Sequence, residues 1–223
     1  SVPCGERRNV VRIGNFRHPP NHDASLWAAQ TLWPRVREKL SQKGCSGVQL
    51  HLCGAYPQKE IGRLENNSLK VVGWVKDPIL TLAQYRVSWA PLRFGAGIKG
   101  KISDSWRAGT PVVTTSIGAE GMVDEGPFPG WVEDDEEGLV DSCVAAYLGE
   151  AWEEKQECGY SVLESAYLAN DLRASLLDKL KHLQSTYEKD RERNLIGEIL
   201  NYHYYKSTHY LSKWIELKSA KEY

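Results

Sequence analysis

Arg93-Phe94-Gly95-Ala96-Gly97-Ile98-Lys99-Gly100-Lys101-Ile102-Ser103-Asp104-Ser105-Trp106-Arg107-Ala108-Gly109-Thr110-Pro111-Val112-Val113-Thr114-Thr115-Ser116-Ile117-Gly118-Ala119-Glu120-Gly121-Met122 reads as a glycine loop, a helix and then a buried strand. Gly95, Gly97 and Gly100 let the backbone turn tightly and approach a ligand closely. Ile98, Ile102 and Trp106 recur every four residues and predict one apolar helical face. Gly109 ends the helix, Pro111 stands where a strand can begin, and Val112 and Val113 start that strand. The helix therefore opens out of a glycine loop, where free N–H groups and the helix dipole favour an anion. Lys101 and Asp104 are three apart and so are neighbours on the helix surface. A cation and a carboxylate behind such a loop suit a nucleotide diphosphate. The cation meets phosphate, and the carboxylate accepts hydrogen bonds from ribose hydroxyls. The same letters also describe an ordinary turn followed by a solvated ion pair.

Upstream, strands alternate with helices. Asn9 to Gly14 reads as a first strand, and Asn15 to Asp23 as a loop in which Asn21 or Asp23 caps a helix running from about Ala24 to Leu40. Val48 to Gly54 is a second strand, with His51 read as a packed structural residue. Lys59 to Leu64 is a short helix. Leu69 to Val75 is a third strand with its exit at Asp77-Pro78, Ile79 to Tyr85 a short helix, and Val87 to Leu92 a fourth strand feeding the glycine loop. This alternation predicts an α/β fold, a Rossmann-like parallel sheet with helices on both faces. Such sheets bind ligands at the C-terminal ends of their strands. The loops 14–23, 73–77 and 95–101 all follow strand ends and can converge on one crevice. A dinucleotide-binding fingerprint is not the explanation, because the first turn lacks Gly-x-Gly-x-x-Gly.

The central stretch resembles the donor-binding segment of retaining glycosyltransferases of the GT-B fold, in the group that includes glycosyltransferase family 4. That family's pattern runs Gly-x-Gly-Ile-Lys-x-Lys, a Glu-led helix, Gly-x-Pro-Val-Val and Gly-Ala-Glu-Gly. Here it is carried by Gly95, Gly97, Ile98, Lys99, Lys101, Gly109, Pro111, Val112, Val113, Gly118, Ala119, Glu120 and Gly121. Asp104 stands where the family usually has a Glu on the ribose. Ala96 stands where the commoner pattern has an earlier Glu that touches the donor sugar. Gly14, Phe16, His18, Pro20 and Asn21 match the loop after the family's first strand, which implies that Arg17 or His18 faces the diphosphate and sugar. Gly73, Val75 and Asp77 match Gly-x-Val-x-Asp, whose backbone pairs with the nucleobase edge. Trp74 either stacks on a base or packs. The resemblance covers about residues 9–185. It implies half of a GT-B enzyme, a nucleotide-sugar-binding domain at 1–190 with a C-terminal helical extension at 191–223.

The resemblance further implies glycosyl transfer to an acceptor hydroxyl, with retention and without metal or other cofactor. The implied donor-binding residues are Gly14, Arg17, His18, Gly73, Trp74, Val75, Gly95, Gly97, Ile98, Lys101 and Asp104; no catalytic residue is assigned. The implied partners are a nucleotide-sugar donor, an acceptor of unknown kind and an N-terminal GT-B domain in cis or trans. Without that acceptor-binding domain the 223-residue chain is expected to be inactive alone. The rival expectation is a non-catalytic interaction module that keeps the fold as a scaffold.

Bulk composition narrows the field. A net charge of −1 argues against nucleic acid or an anionic membrane. No apolar run reaches membrane-spanning length. Five scattered cysteines, without metal-like spacing, suit a reducing compartment and a cytoplasmic location. The acidic run Glu133 to Glu137 reads as the solvated start of a helix. Eight Trp and eleven Tyr against three Phe suggest aromatic rings at surfaces or contacts. Many of them lie in the tail from Leu195 to Lys218. That tail is expected to pack at least partly on the chain's own sheet, since helices so short are marginal without tertiary contacts.

Overall fold

The computed structural model describes residues 2–124, 126–167 and 169–219. The chain divides into two compact units, Ser1–Leu168 and Ala169–Tyr223. The division falls ahead of the junction expected at residue 190.

The first unit is built on six strands: β1 (Arg8–Ile13), β2 (Leu50–Cys53), β3 (Leu69–Gly73), β4 (Tyr85–Ala90), β5 (Val112–Thr114) and β6 (Gly130–Val132). Their order is β3-β2-β1-β4-β5-β6, and all neighbours are parallel. This is the doubly wound order, with its switch point between β1 and β4. β6 was not read from the sequence: three residues behind Pro127 and Pro129 carry too little alternation to show a strand.

Both faces of the sheet are covered, so the strands are apolar on both sides. Val10, Leu50, Leu52, Val87 and Trp89 pack with the helices α2 (Trp33–Gln42) and α7 (Glu136–Leu148). Val11, Ile13, Cys53 and Tyr85 pack on the other face with α4 (Pro78–Leu82). There too Ile102 and Trp106 of α5 (Gly100–Arg107) pack with Val112, Met122 and part of α8 (Trp152–Ala166). The expectation for aromatic rings fails for half of the tryptophans. Trp33, Trp89, Trp106 and Trp152 are core residues. Three of these four donate their indole N–H to a carbonyl: Trp33 to Ser68, Trp106 to Pro129 and Trp152 to Arg86. A buried indole needs such a partner.

The first helix starts earlier than expected. α1 spans Pro19–Trp27, continues through a π-turn at Ala28–Leu32 and joins α2. Pro19 and Pro20, read as loop residues, lie in its first turn, where a missing N–H costs nothing. Asn21 and Asp23 are therefore inside the helix and not its caps. The acidic run behaves as expected. Asp135 caps α7 by accepting from Gly138 N at 2.8 Å, and Arg35 and Lys39 pair with Glu136, Glu137 and Asp141. The remaining short helices are α3 (Lys59–Gly62) and α6 (Ser116–Ala119).

The second unit consists of α9 (Ala169–Arg193) and α10 (Leu195–Ser219). Leu172, Leu176, Leu180, Leu183 and Tyr187 form a stripe on α9, three or four residues apart. α10 carries Ile196, Leu200, Tyr204, Leu211, Trp214 and Leu217. All of these side chains are exposed on the two helices. No described helix is long and apolar enough to cross a membrane.

Candidate functional site

The C-terminal edge of the sheet is held together by close backbone approaches. Gly14 N donates to Cys53 O at 3.0 Å, Gly54 N to Gly73 O at 2.7 Å, and Phe16 N to Ala55 O at 3.1 Å. The exits of β1, β2 and β3 are thereby tied in one row. Two glycines are required for this. A Cβ on Gly54 would lie 1.8 Å from Gly14 O, and a Cβ on Gly14 would lie 2.8 Å from Asn21 Cγ. Asn21 is consequently clamped. Its Nδ2 donates to Asn15 O at 3.0 Å, which turns its Oδ1 outward to accept from Lys101 Nζ.

Lys101 sits in the first turn of α5, which opens at Gly100 with no side-chain cap. Before it, Gly95 (φ +135°) and Gly97 (φ +75°) hold backbone conformations that L side chains rarely adopt. The glycine loop and helix start are thus as expected, with one difference. Ile98 lies ahead of the helix and is 64% exposed, so the apolar face is Ile102 and Trp106 alone.

The charges acting most directly on Lys101 are those of Arg12 and Lys99, both cations. Arg12 of β1 is 1% exposed, and none of its three guanidinium nitrogens has a hydrogen-bond partner. Burial presses its pKa down to about 9, against the opposing pull of Asp23. Asp23 is itself held by two hydrogen bonds from Arg93. Lys99 is 7% exposed, and its ammonium has no hydrogen-bond partner; a carboxylate oxygen of Glu120 lies 3.7 Å away. Burial pushes Lys101 down to about 7, and the charges of Arg12 and Lys99 add to the effect. Three cations are drawn together under a glycine loop, and the only hydrogen bond among their charged nitrogens is to a neutral amide. Unpaired buried charge destabilises a fold, and this arrangement is one that an anion can complete. An uncapped helix start beside it adds to the attraction.

A cavity of about 160 Å³ lies here, between His18 and Pro20 on one side and Phe94, Gly95, Ile98, Lys99 and Lys101 on the other. This is smaller than the ~300–1,000 Å³ typical of a whole-ligand pocket, and it suits one part of a ligand. A larger cleft of about 630 Å³ lies beside Arg37, Glu38, Ser46 and Ser68. It sits at the N-terminal ends of β2 and β3, the opposite end from ligand sites in such sheets. Its charges are of both signs.

The expected site residues fall into three groups. His18, Gly95, Ile98 and Lys101 line the small cavity, Gly97 belongs to the same loop, and Gly14 supports it through Asn21. Gly73 ends β3 and Trp74 and Val75 follow it, two strand spacings or about 10 Å from β1; Trp74 is 69% exposed there. Arg17 turns away from the cation cluster, its guanidinium 3.8 Å from the centre of the Tyr56 ring. Asp104 is paired with Arg107 at 3.5 Å and not with Lys101. Sequence reading passed over Arg12 and Tyr56, and it used Lys99 to match the family pattern without placing it among the donor-binding residues. Arg12 had a signal, a charge inside the apolar run Val10-Val11-Arg12-Ile13. Tyr56 holds φ +59°, a strained value for an aromatic residue, which no pattern of letters shows. Among the described residues, no His, Cys, Asp and Glu side chains gather as a metal-binding group.

Solved structures with this fold include glycosyltransferases. A point mutant of S. aureus TarM, in complex with fondaparinux, alpha-GlcNAc-glycerol and UDP, superposes with TM-score 0.62 at 12% identity, over 78% of this chain and 35% of its own. The pneumococcal O-GlcNAc transferase GtfA, in complex with UDP and GlcNAc, gives 0.61 at 12% identity, over 80% and 36%. The trehalose 6-phosphate synthase of Burkholderia multivorans gives 0.59 at 10% identity, over 84% and 45%. The chain thus spans less than half the length of these enzymes. A sequence comparison with curated proteins finds no match. The family model for glycosyl transferases of group 1 matches residues 7–148, and the chain belongs to that family, its first unit being a GT-B-type Rossmann-like domain.

Proposed function

We propose that the first unit binds the nucleoside diphosphate of a sugar-nucleotide donor, for transfer of the glycosyl group to an acceptor hydroxyl. The observation that carries this reading is the cluster of buried Arg12, buried Lys99 and half-buried Lys101 at the glycine loop, none of them hydrogen-bonded to a carboxylate. A diphosphate supplies the missing charge. Transfer builds further negative charge on the leaving diphosphate, and fixed cations there stabilise the transition state more than the ground state. In this reading Gly95, Gly97 and Ile98 cover the diphosphate. Asp104 releases Arg107 to accept from the ribose, and Trp74 with the backbone of Gly73 and Val75 receives the base. The spacing from β1 to β3 accommodates a nucleotide lying along the sheet edge.

The reaction is taken to proceed with retention and without metal, as the family resemblance implies, the acceptor being held by a further GT-B domain. The site lies on one wall of such a cleft, which accords with its small cavity. Titration calorimetry with UDP-, GDP- and ADP-glucose tests the reading: one of the three should bind, and Lys101→Ala should abolish or strongly weaken that binding. One observation favours the rival interaction module. Ala96, exposed in the loop, cannot make the carboxylate contact of the commoner family pattern. Absence of binding by all three nucleotide sugars would decide for that module.

A further inference from the structure

We infer that donor binding at this site is coupled to uptake of a proton by Lys101, which shares its cavity with the unpartnered cation Lys99, lies beside the unpartnered Arg12 and is hydrogen-bonded to a neutral amide. The inference rests on the diphosphate reading and adds a regulation to it.

The geometry makes Lys101 the group that yields. Arg12 faces it from β1 and Lys99 from the loop before α5, both buried and both cationic. α1 presents Asn21, a neutral amide whose Oδ1 accepts from Lys101 Nζ and brings no compensating charge. The carboxylates nearby are engaged elsewhere. Asp23 is held by Arg93, Asp104 pairs with Arg107, and Glu120 stands 3.7 Å from Lys99. His18 lines the same cavity but is exposed. An arginine resists deprotonation far better than a lysine. Hence the strain of three like charges is relieved at Lys101, which burial and its neighbours bring down to about 7.

A diphosphate diester reverses the balance. It brings negative charge and no proton of its own near pH 8, unlike a terminal phosphate, whose second ionisation lies near pH 6. The ammonium form is then favoured, and one proton moves from solvent to Nζ while no covalent bond of the donor changes. The sign follows. Binding that takes up a proton weakens as pH rises. Uptake should increase from pH 7 to pH 8, and affinity should fall as pH rises over that range.

The test is calorimetry of the nucleotide sugar that binds best, at pH 8, in Tris and in HEPES. The two buffers differ in ionisation heat, so the difference in binding heat counts protons. The expected result is an uptake near one proton in the wild type. None is expected in Lys101→Arg, whose guanidinium stays charged throughout. In Arg12→Met, which removes one neighbouring cation, the uptake at pH 8 should shrink. Binding without proton uptake in the wild type overturns the coupling and leaves the diphosphate reading standing. Failure of all three nucleotide sugars to bind overturns both. Uptake that persists in Lys101→Arg, or is unchanged in Arg12→Met, moves the proton to another group and overturns the assignment.

Discussion

Arg7, the residue before β1, and Arg12, near the C-terminal end of β1, are each 1% exposed. At the N-terminal end, Arg7 is saturated. Its Nε donates to Val2 O at 2.7 Å, Nη1 to Thr110 Oγ1 at 2.7 Å and Nη2 to Ala108 O at 3.1 Å, and its guanidinium lies 5.0 Å from the centre of the Trp152 ring. At the C-terminal end, Arg12 has none of these, and two more cations crowd beside it. One residue type and one degree of burial thus serve two purposes. Arg7 cross-links the start of β1 to the chain around Ala108 and Thr110, and each of its three nitrogens has a hydrogen-bond partner. Arg12 has no hydrogen-bond partner in the fold, and in the proposed function a ligand supplies one. Burial of a charge does not mark a functional site; burial without a partner does.

The largest effect is expected where the fold depends on its arginine. Arg7→Met should lower unfolding free energy by about 3 kcal/mol, because it removes three charge-assisted hydrogen bonds and leaves carbonyls behind. Urea denaturation at constant m-value measures it. A loss below about 1 kcal/mol would show that Arg7 is as dispensable to the fold as Arg12 is held to be.

Next comes the ligand side of the comparison. Lys101→Ala should weaken nucleoside-diphosphate binding by about 1.5–3 kcal/mol, the scale of a hydrogen bond to a charged group. The ligand-free protein should not lose stability in proportion, since the substitution also relieves repulsion from Arg12 and Lys99. If the affinity is unchanged, the cation cluster is not the diphosphate site. Asp104→Asn is expected to act more weakly, by about 1 kcal/mol, and on the ribose alone. It should affect a ribonucleotide but not its 2′,3′-dideoxy analogue. Equal losses for both would detach Asp104 from the sugar.

The two arginines also show what could be read without coordinates. The glycine loop, the helix after it, five strands and the parallel arrangement were legible, because period, glycine and proline placement are local signals. Gly95, Gly97 and Lys101 fell where a local motif put them. β6 and the early start of α1 were not legible. The one is three residues long, and the other runs through two prolines that look like a loop until they are seen to occupy a first turn. Arg12 shows a deeper limit. The letters Val10-Val11-Arg12-Ile13 announce a charge within a strand, but Arg7, one residue before that strand, is as deeply buried. What separates them is their partners: Thr110 and Ala108 lie about a hundred residues away and meet Arg7 only in the fold. Likewise the ring of Tyr56 beneath Arg17 joins two loops that sequence order keeps forty residues apart. Asp104 was read as a neighbour of Lys101 on the helix, yet each chose another partner, Arg107 and Asn21. Spacing limits which pairs can meet and does not select among them.

The smallest effect should be the most telling, because its sign is opposite to that of Arg7→Met. Arg12→Met replaces a fully buried, unpartnered guanidinium by an unbranched apolar chain of similar reach. No hydrogen bond is lost, since none is made. The desolvation cost of the charge disappears, and so does its repulsion of Lys101. Replacing buried charge by apolar side chains is often neutral or stabilising. The ligand-free protein should therefore keep its stability or gain up to about 1 kcal/mol, while nucleoside-diphosphate affinity falls. The gain should be larger at low ionic strength, where like charges repel most. Parallel urea denaturation of Arg7→Met and Arg12→Met, each with and without saturating nucleotide, reads both signs in one experiment. If Arg12→Met loses about 3 kcal/mol without ligand, as Arg7→Met is expected to, then Arg12 has partners in the fold and the contrast between the two ends of the sheet is void.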